Sequence, residues 1–176
     1  MSQATLNTTS KPGMVSQYLI FSLGGELFAV GTLRVREIIE YGNLTSVPMM
    51  PSFIRGVINL RGAVVPVIDL NARFGRARTE ISRRTCIVIL EVQAEEDTHV
   101  LGIVVDAVSA VRQIDSANIE PPPSFGTRIR ADFIDGMAKV NNSFVILLDL
   151  GKVLSVDEIS LLNGMASSNE AQHIDA

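Results

Sequence analysis

The sequence predicts a mainly β fold made of two small barrels, one for each copy of an internal repeat. Three observations lead there. Aromatic residues are 5% of the 176 and Trp is absent, while hydrophobic residues reach 47%, so Val, Ile and Leu must fill the core and their β-branched members favour strands. The apolar runs are short and punctuated by turn residues. Finally, FIRGVINLRGAVVPVIDLNARF (53–74) aligns without gaps to FIDGMAKVNNSFVILLDLGKVL (133–154) at an offset of 80. Phe53/Phe133, Ile54/Ile134, Gly56/Gly136, Val65/Val145, Asp69/Asp149 and Leu70/Leu150 are identical, which is the mark of a duplicated unit. VREI (35–38) echoes VRQI (111–114) at an offset of 76, the difference being assigned to a loop insertion. Each copy offers about five short strands, which hide their edges best by closing. Two barrels sharing a hydrophobic seam bury more than either could alone.

Taken in order, residues 1–15 are polar and read as a tail. Residues 16–82 form the first subdomain and 83–164 the second, with 165–176 a second tail. Tyr18–Leu23, Gly24-Gly25 and Glu26–Val30 read as a hairpin. Thr32 then caps a short helix over Leu33–Ile39, with Val35, Ile38 and Ile39 at helical spacing. Val57–Leu60 and Val64–Asp69 pair through Arg61-Gly62. An Arg-rich connection (73–84) leads to strands at Cys86–Val92, Val100–Val105 and Val108–Ile114. PPP at 121–123 is an extended linker. Ile134–Val140 and Ser143–Asp149 pair through Asn141-Asn142. Ser155 and Glu158 make a capping box for a C-terminal helix.

The charge of −4 argues against a surface built for nucleic acid. A stacking platform would interleave aromatics with basic residues, whereas Phe53, Phe74, Phe125 and Phe133 sit beside turns or linkers. One cysteine, Cys86, suits a reducing compartment. With no apolar run of membrane length and no secretory h-region, a cytoplasmic location is expected. His99, His173 and Cys86 lack partners at metal-ligand spacing. No GxSxG, HExxH or Walker pattern occurs, so neither catalysis nor a cofactor is expected. Asp69 and Asp149 read as caps of the turns that follow them, and their places in separate copies argue against a catalytic pair.

VPMMPSFIRGVINLRGAVVPVIDL (47–70) closely resembles the CheW coupling family, through its Pro-x-Phe-Ile-x-Gly turn, NLRG hairpin and Pro-Val-Ile-Asp-Leu strand. LGIVVDAVSAVRQI (101–114) resembles the family's second half, and the likeness runs from about Gln17 to Leu162. It implies two SH3-like five-stranded β-barrel subdomains, with a short helix after the first hairpin and a C-terminal helix. It also implies a non-enzymatic scaffold between the cytoplasmic tip of methyl-accepting chemotaxis receptors and the regulatory domain of the histidine kinase CheA. One departure is Ala110, where members often carry an acidic residue.

Arg61 stands out among the candidate contacts. Asn141 holds the same place in the other copy, so the turn itself does not need an arginine. Gly62 can take the positive φ and leave the guanidinium free for an interface. The resemblance assigns Val35, Glu37, Arg61, Gly62 and Ile87 to receptor binding. Val47, Met49 and Met50 are the apolar turn residues expected to meet the kinase.

Overall fold

The computed structural model describes residues 14–94, 96–121 and 133–154, together with Glu158 and Gly164. Among the described residues eleven strands are formed: β1 (Val15–Leu23), β2 (Glu26–Gly31), β3 (Val35–Glu40), β4 (Ile54–Leu60), β5 (Ala63–Asp69), β6 (Cys86–Ala94), β7 (Asp97–Val105), β8 (Ala107–Asp115), β9 (Ile119–Glu120), β10 (Ile134–Val140) and β11 (Ser143–Leu148). Short helices α1 (Leu70–Arg73) and α2 (Leu150–Val153) follow β5 and β11. The expected mainly β, two-barrel architecture is present.

The strands make two sheets, ordered β3-β6-β7-β5-β4 and β8-β1-β2-β11-β10-β9. Both follow one plan. In each, a hairpin is inserted between an edge strand and the second hairpin of the other copy, and it meets that second hairpin in parallel. Thr45 bridges Val57 on one side, and β9 pairs β10 on the other, so each sheet curls toward closure. Hereafter β3–β7 are the first barrel and β1, β2 and β8–β11 the second.

This assignment corrects the expected boundary between residues 82 and 83. The first hairpin of the chain (β1–β2) lies in the sheet of the second repeat, and β6–β7 lies in the sheet of the first. The two copies have exchanged their leading hairpins. Hydrophobic pattern cannot show such an exchange, because each hairpin buries the same face in either sheet.

The repeat at 53–74 and 133–154 holds in detail. Both hairpins have a register shift at the same place, between Ile54/Gly56 and between Ile134/Gly136. The N–H of Asp69 reaches Phe53 O (2.7 Å) as that of Asp149 reaches Phe133 O (3.0 Å). The VREI–VRQI echo does not hold. A bulge sets Val35 opposite Leu90 and Glu37 opposite Ile89; on β8 it sets Val108 opposite Phe21 and Ala110 opposite Ile20. Val35–Glu40 therefore corresponds to Val108–Gln113.

The helix expected over Leu33–Ile39 is absent. A single 3-10 turn (Thr32–Arg34) leads directly into β3, where Val35, Glu37 and Ile39 are half-buried and Arg36, Ile38 and Glu40 exposed. Thr32 does not cap that turn; its N-cap is Gly31. Pairing with β6 wins over helical spacing here, as β-branched residues facing an open strand edge favour. The C-terminal helix lies outside the described residues except for Glu158 and Gly164, both helical.

Packing separates into three clusters. Ile58, Val65, Val67, Ile87, Ile89 and Val104 fill the first barrel, and Ile20, Ala29, Ile114, Ala138, Val145 and Leu147 fill the second. The largest cluster draws on both sheets, with Phe21, Phe28, Val88, Leu90, Ile103 and Leu148 among its members. It is the shared seam. Phe21, Phe28, Phe74 and Phe133 run through it with centroids 5.8–6.2 Å apart, so Phe74 and Phe133 serve packing, not an exposed stacking platform. Phe53 also packs against the seam, and Phe125 lies outside the described residues.

Parallel pairing places Ala29 beside Leu147 and Gly102 beside Val67. A small residue is required at Gly102. A Cβ on Gly102 would come within 2.7 Å of Ile87 Cγ2. Gly102→Val is expected to cost about 1–3 kcal/mol through overpacking, measurable by urea unfolding; wild-type stability would refute this reading of the barrel interior.

Candidate protein-docking groove

The β4–β5 hairpin closes with both central residues at positive φ, Arg61 at 53° and Gly62 at 89°. This geometry suits the right-handed twist of the flanking strands. Asn59 Oδ1 accepts from the Gly62 N–H at 3.0 Å and braces the turn. Arg61 is thereby held out from the sheet, with 69% of its side chain exposed. In the second barrel Asn141 and Asn142 take the same turn, at 52° and 66°.

Glu37 is brought to Arg61 by the β3 bulge. Arg36 is the extra residue, so Glu37 turns toward the mouth of the first barrel while Val35 packs against the seam. Arg61 Nη2 meets Glu37 Oε2 at 2.5 Å across a groove of about 440 Å3. Leu60, Val64, Val65 and Ile89 supply apolar lining. An exposed ion pair of this kind contributes about 0.2–1 kcal/mol. A partner carboxylate or amide can therefore take over the guanidinium at little cost. The equivalent positions of the second barrel hold Ala110 and Asn141, so that mouth has no such pair.

Of the five expected receptor contacts, the structure brings Glu37 and Arg61 together, with Gly62 exposed beside them. Val35 is half-buried on the seam side of the bulge. Ile87 is fully buried, 0% exposed, inside the first barrel; it supports the groove floor and presents no surface. Among the expected kinase contacts, Met49 is 100% exposed with φ 62°, whereas Val47 and Met50 pack partly against the seam. These residues precede β4, and Arg61 follows it. Seven residues of strand separate them from Arg61 by roughly 20 Å, so they and Arg61 stand at opposite ends of β4.

One cluster escaped the sequence reading. Asp69 caps α1 by accepting from Ala72 N (3.3 Å), as expected. It is also 0% exposed and accepts from Thr79 N (2.8 Å), Thr79 Oγ1 (2.9 Å) and Arg55 Nε (3.0 Å). Arg55 also donates to Thr79 O. The Arg-rich connection is thus pinned to the barrel at its centre. Arg73 and Arg76 lie over seam aromatics, while Arg78, Arg83 and Arg84 are exposed. Asp149 accepts from Gly151 N (3.0 Å), and its repeat partner for Arg55 is Asp135. Cys86 is a half-buried free thiol.

Two interlocked barrels with a polar groove at the mouth of one define the class: a double SH3-like barrel protein. The chain belongs to the CheW-like domain family, whose model matches residues 17–158. It is 33% identical over 166 residues to chemotaxis protein CheW of Klebsiella aerogenes, covering 94% of this chain and 98% of that one. Protein FrzA of Myxococcus xanthus is 32% identical over 140 residues, covering 78% and 84%. The crystal structure of scaffolding protein TtCheW from Thermoanaerobacter tengcongensis superposes with a TM-score of 0.74 at 35% identity, over 86% of this chain and 96% of that one.

Proposed function

We propose that the protein is a non-enzymatic chemotaxis adaptor. It holds the cytoplasmic tip of methyl-accepting receptors and the regulatory domain of the histidine kinase CheA in one complex. The observation that carries this reading is the Glu37–Arg61 groove, standing at the opposite end of β4 from the exposed Met49. A coupling protein needs two partners bound at once, and separated surfaces allow that. Family membership and relatives named for chemotaxis and scaffolding support it. No helix among the described residues is long and apolar enough to cross a membrane, which fits a cytoplasmic protein joined to receptor arrays through its partners. Neither metal nor nucleotide is required.

Arg61→Ala is expected to leave the fold intact and weaken receptor engagement by about 1–3 kcal/mol, the range for losing a charged interface hydrogen bond. Co-sedimentation with receptor-containing membranes measures it, and unchanged binding would return Arg61 to a solvated turn. In the same assay, saturating kinase regulatory domain should leave the protein on the receptor. Displacement would refute the two-surface arrangement.

A further inference from the structure

The two barrels serve as internal comparisons for each other, and the bulge that aims Glu37 marks a second difference at the same mouth. Each barrel carries this bulge on its edge strand. Arg36 is the extra residue of β3 and Ser109 the extra residue of β8. Both are exposed. Because a serine fills the place in one copy, the bulge itself needs no arginine. The ion partner of Arg36 is also peculiar to the first barrel. Val35 stands opposite Leu90 and Val108 opposite Phe21, which makes Glu91 the counterpart of Ser22. The Ser22 hydroxyl donates within its own barrel, to Ala107 O at 3.5 Å. The Arg36–Glu91 pair is therefore no requirement of the fold.

We propose, on the reading of the Glu37–Arg61 groove as the receptor surface, that Arg36 is a second recognition residue of that groove and holds a carboxylate of the docked receptor. Arg36, Glu37 and Arg61 all line the groove, two cations against one anion, although the chain as a whole carries −4. Arg61 answers Glu37 inside it at 2.5 Å. Arg36 answers Glu91, which lies outside and lines the neighbouring cleft with Arg34 and Gln93. That contact, 3.2 Å long, uses Nε; the Nη donors of the guanidinium remain for a second acceptor. With side chains 53% and 41% exposed, the pair is screened by solvent and adds little to stability. One carboxylate can therefore replace or join the other. The rest of the described lining is apolar, Leu60, Val65 and Ile89 among it. The segment that fits presents an apolar stripe and two acceptors: one for Arg61, and an Asp or Glu side chain for Arg36.

Co-sedimentation of the full-length protein with receptor-containing membranes, at low and high salt, tests this. Arg36→Ser, which installs the second barrel's residue on the same bulge, should weaken binding roughly tenfold, as the loss of a charged interface hydrogen bond does. The loss should shrink at high salt, which screens an exposed contact. Glu91→Ala breaks the same ion pair but frees Arg36, so it should bind as tightly as wild type or more tightly. Changing the acidic residues of the receptor tip singly to Asn or Gln should find one position whose loss adds nothing in the Arg36→Ser background. If the thermal transition shows that Ser disturbs the strand, Arg36→Gln is judged on the same scale. Wild-type binding by Arg36→Ser would overturn the proposal. So would equal losses in Arg36→Ser and Glu91→Ala, which would reduce Arg36 to a brace between β3 and β6. Arg61→Ala separates the two levels. If it weakens binding and Arg36→Ser does not, Arg36 alone is misassigned; if neither variant matters, the groove is not the receptor surface.

Discussion

Replacing Asp69 with Ala is expected to destabilise the fold by about 3–5 kcal/mol, the loss seen when one partner of a buried ion pair is removed. The carboxylate is 0% exposed and Arg55 is 13% exposed by side chain. Truncation strands a nearly buried guanidinium and leaves the Thr79 N–H without its acceptor. The segment from Gly75 to Thr85 loses its anchor as well. Asp149→Ala is the control, because that carboxylate is partly exposed and caps a single turn through Gly151. Its loss should cost about 0.5–2 kcal/mol, the range for an N-cap. Chemical denaturation of both variants decides the matter. Equal losses would mean that Asp69 acts as a cap alone.

Cutting the chain between residues 82 and 83 should abolish folding of both halves. Residues 1–82 would hold β1–β5, but β1–β2 would lack β8 on one side and β11 on the other. The three strands left in the first barrel, β3, β4 and β5, would lack β6 and β7, which lie between them. The seam would be divided too, since Phe21 and Phe28 fall in one fragment and Val88, Leu90 and Leu148 in the other. Circular dichroism and amide dispersion should show each fragment unfolded. Mixing equal amounts should recover the native spectrum, because the pieces complete each other's sheets. An independently folded fragment 1–82 would show that the exchange is dispensable.

Much of this architecture was legible in the residues. The repeat placed the β4–β5 and β10–β11 hairpins correctly, because Gly56, Asp69 and their copies each do one local job that any barrel of this kind needs. Turn pairs such as Gly24-Gly25, Arg61-Gly62 and Asn141-Asn142 marked the hairpins through their tolerance of positive φ. Which sheet a hairpin joins was not legible. Ile20 and Ile89 would look the same in either barrel, and the exchange is a choice of partner, not of pattern. Val35–Ile39 misled because Ile38, an apolar residue on the exposed face of β3, completes a helical spacing with Val35 and Ile39 although burial alternates with period two. Glu37 and Arg61 could be nominated singly, but their meeting depends on the β3 bulge. The Asp69–Thr79 anchor joins residues ten apart through a loop without periodicity, and nothing in the composition pointed to it.

The exchange of hairpins also sets the order in which the protein can be completed on the ribosome. β1 and β2 emerge first, yet β2 must wait for β11, the last of the described strands. At ~5–20 residues per second, the edge of β2 waits on the order of ten seconds for its parallel partner, while Phe21 and Phe28 can be covered earlier by Phe74, Val88 and Leu90 of the seam. The first barrel can close as soon as β7 has left the exit tunnel, well before that. Synthesis therefore passes through a state with one barrel shut and the founding hairpin packed against it along the seam but still lacking β11. Cellular yield should respond to trigger-type chaperones that shield apolar hairpins, and to codon changes that lengthen the interval between β7 and β11, even where the finished protein is equally stable.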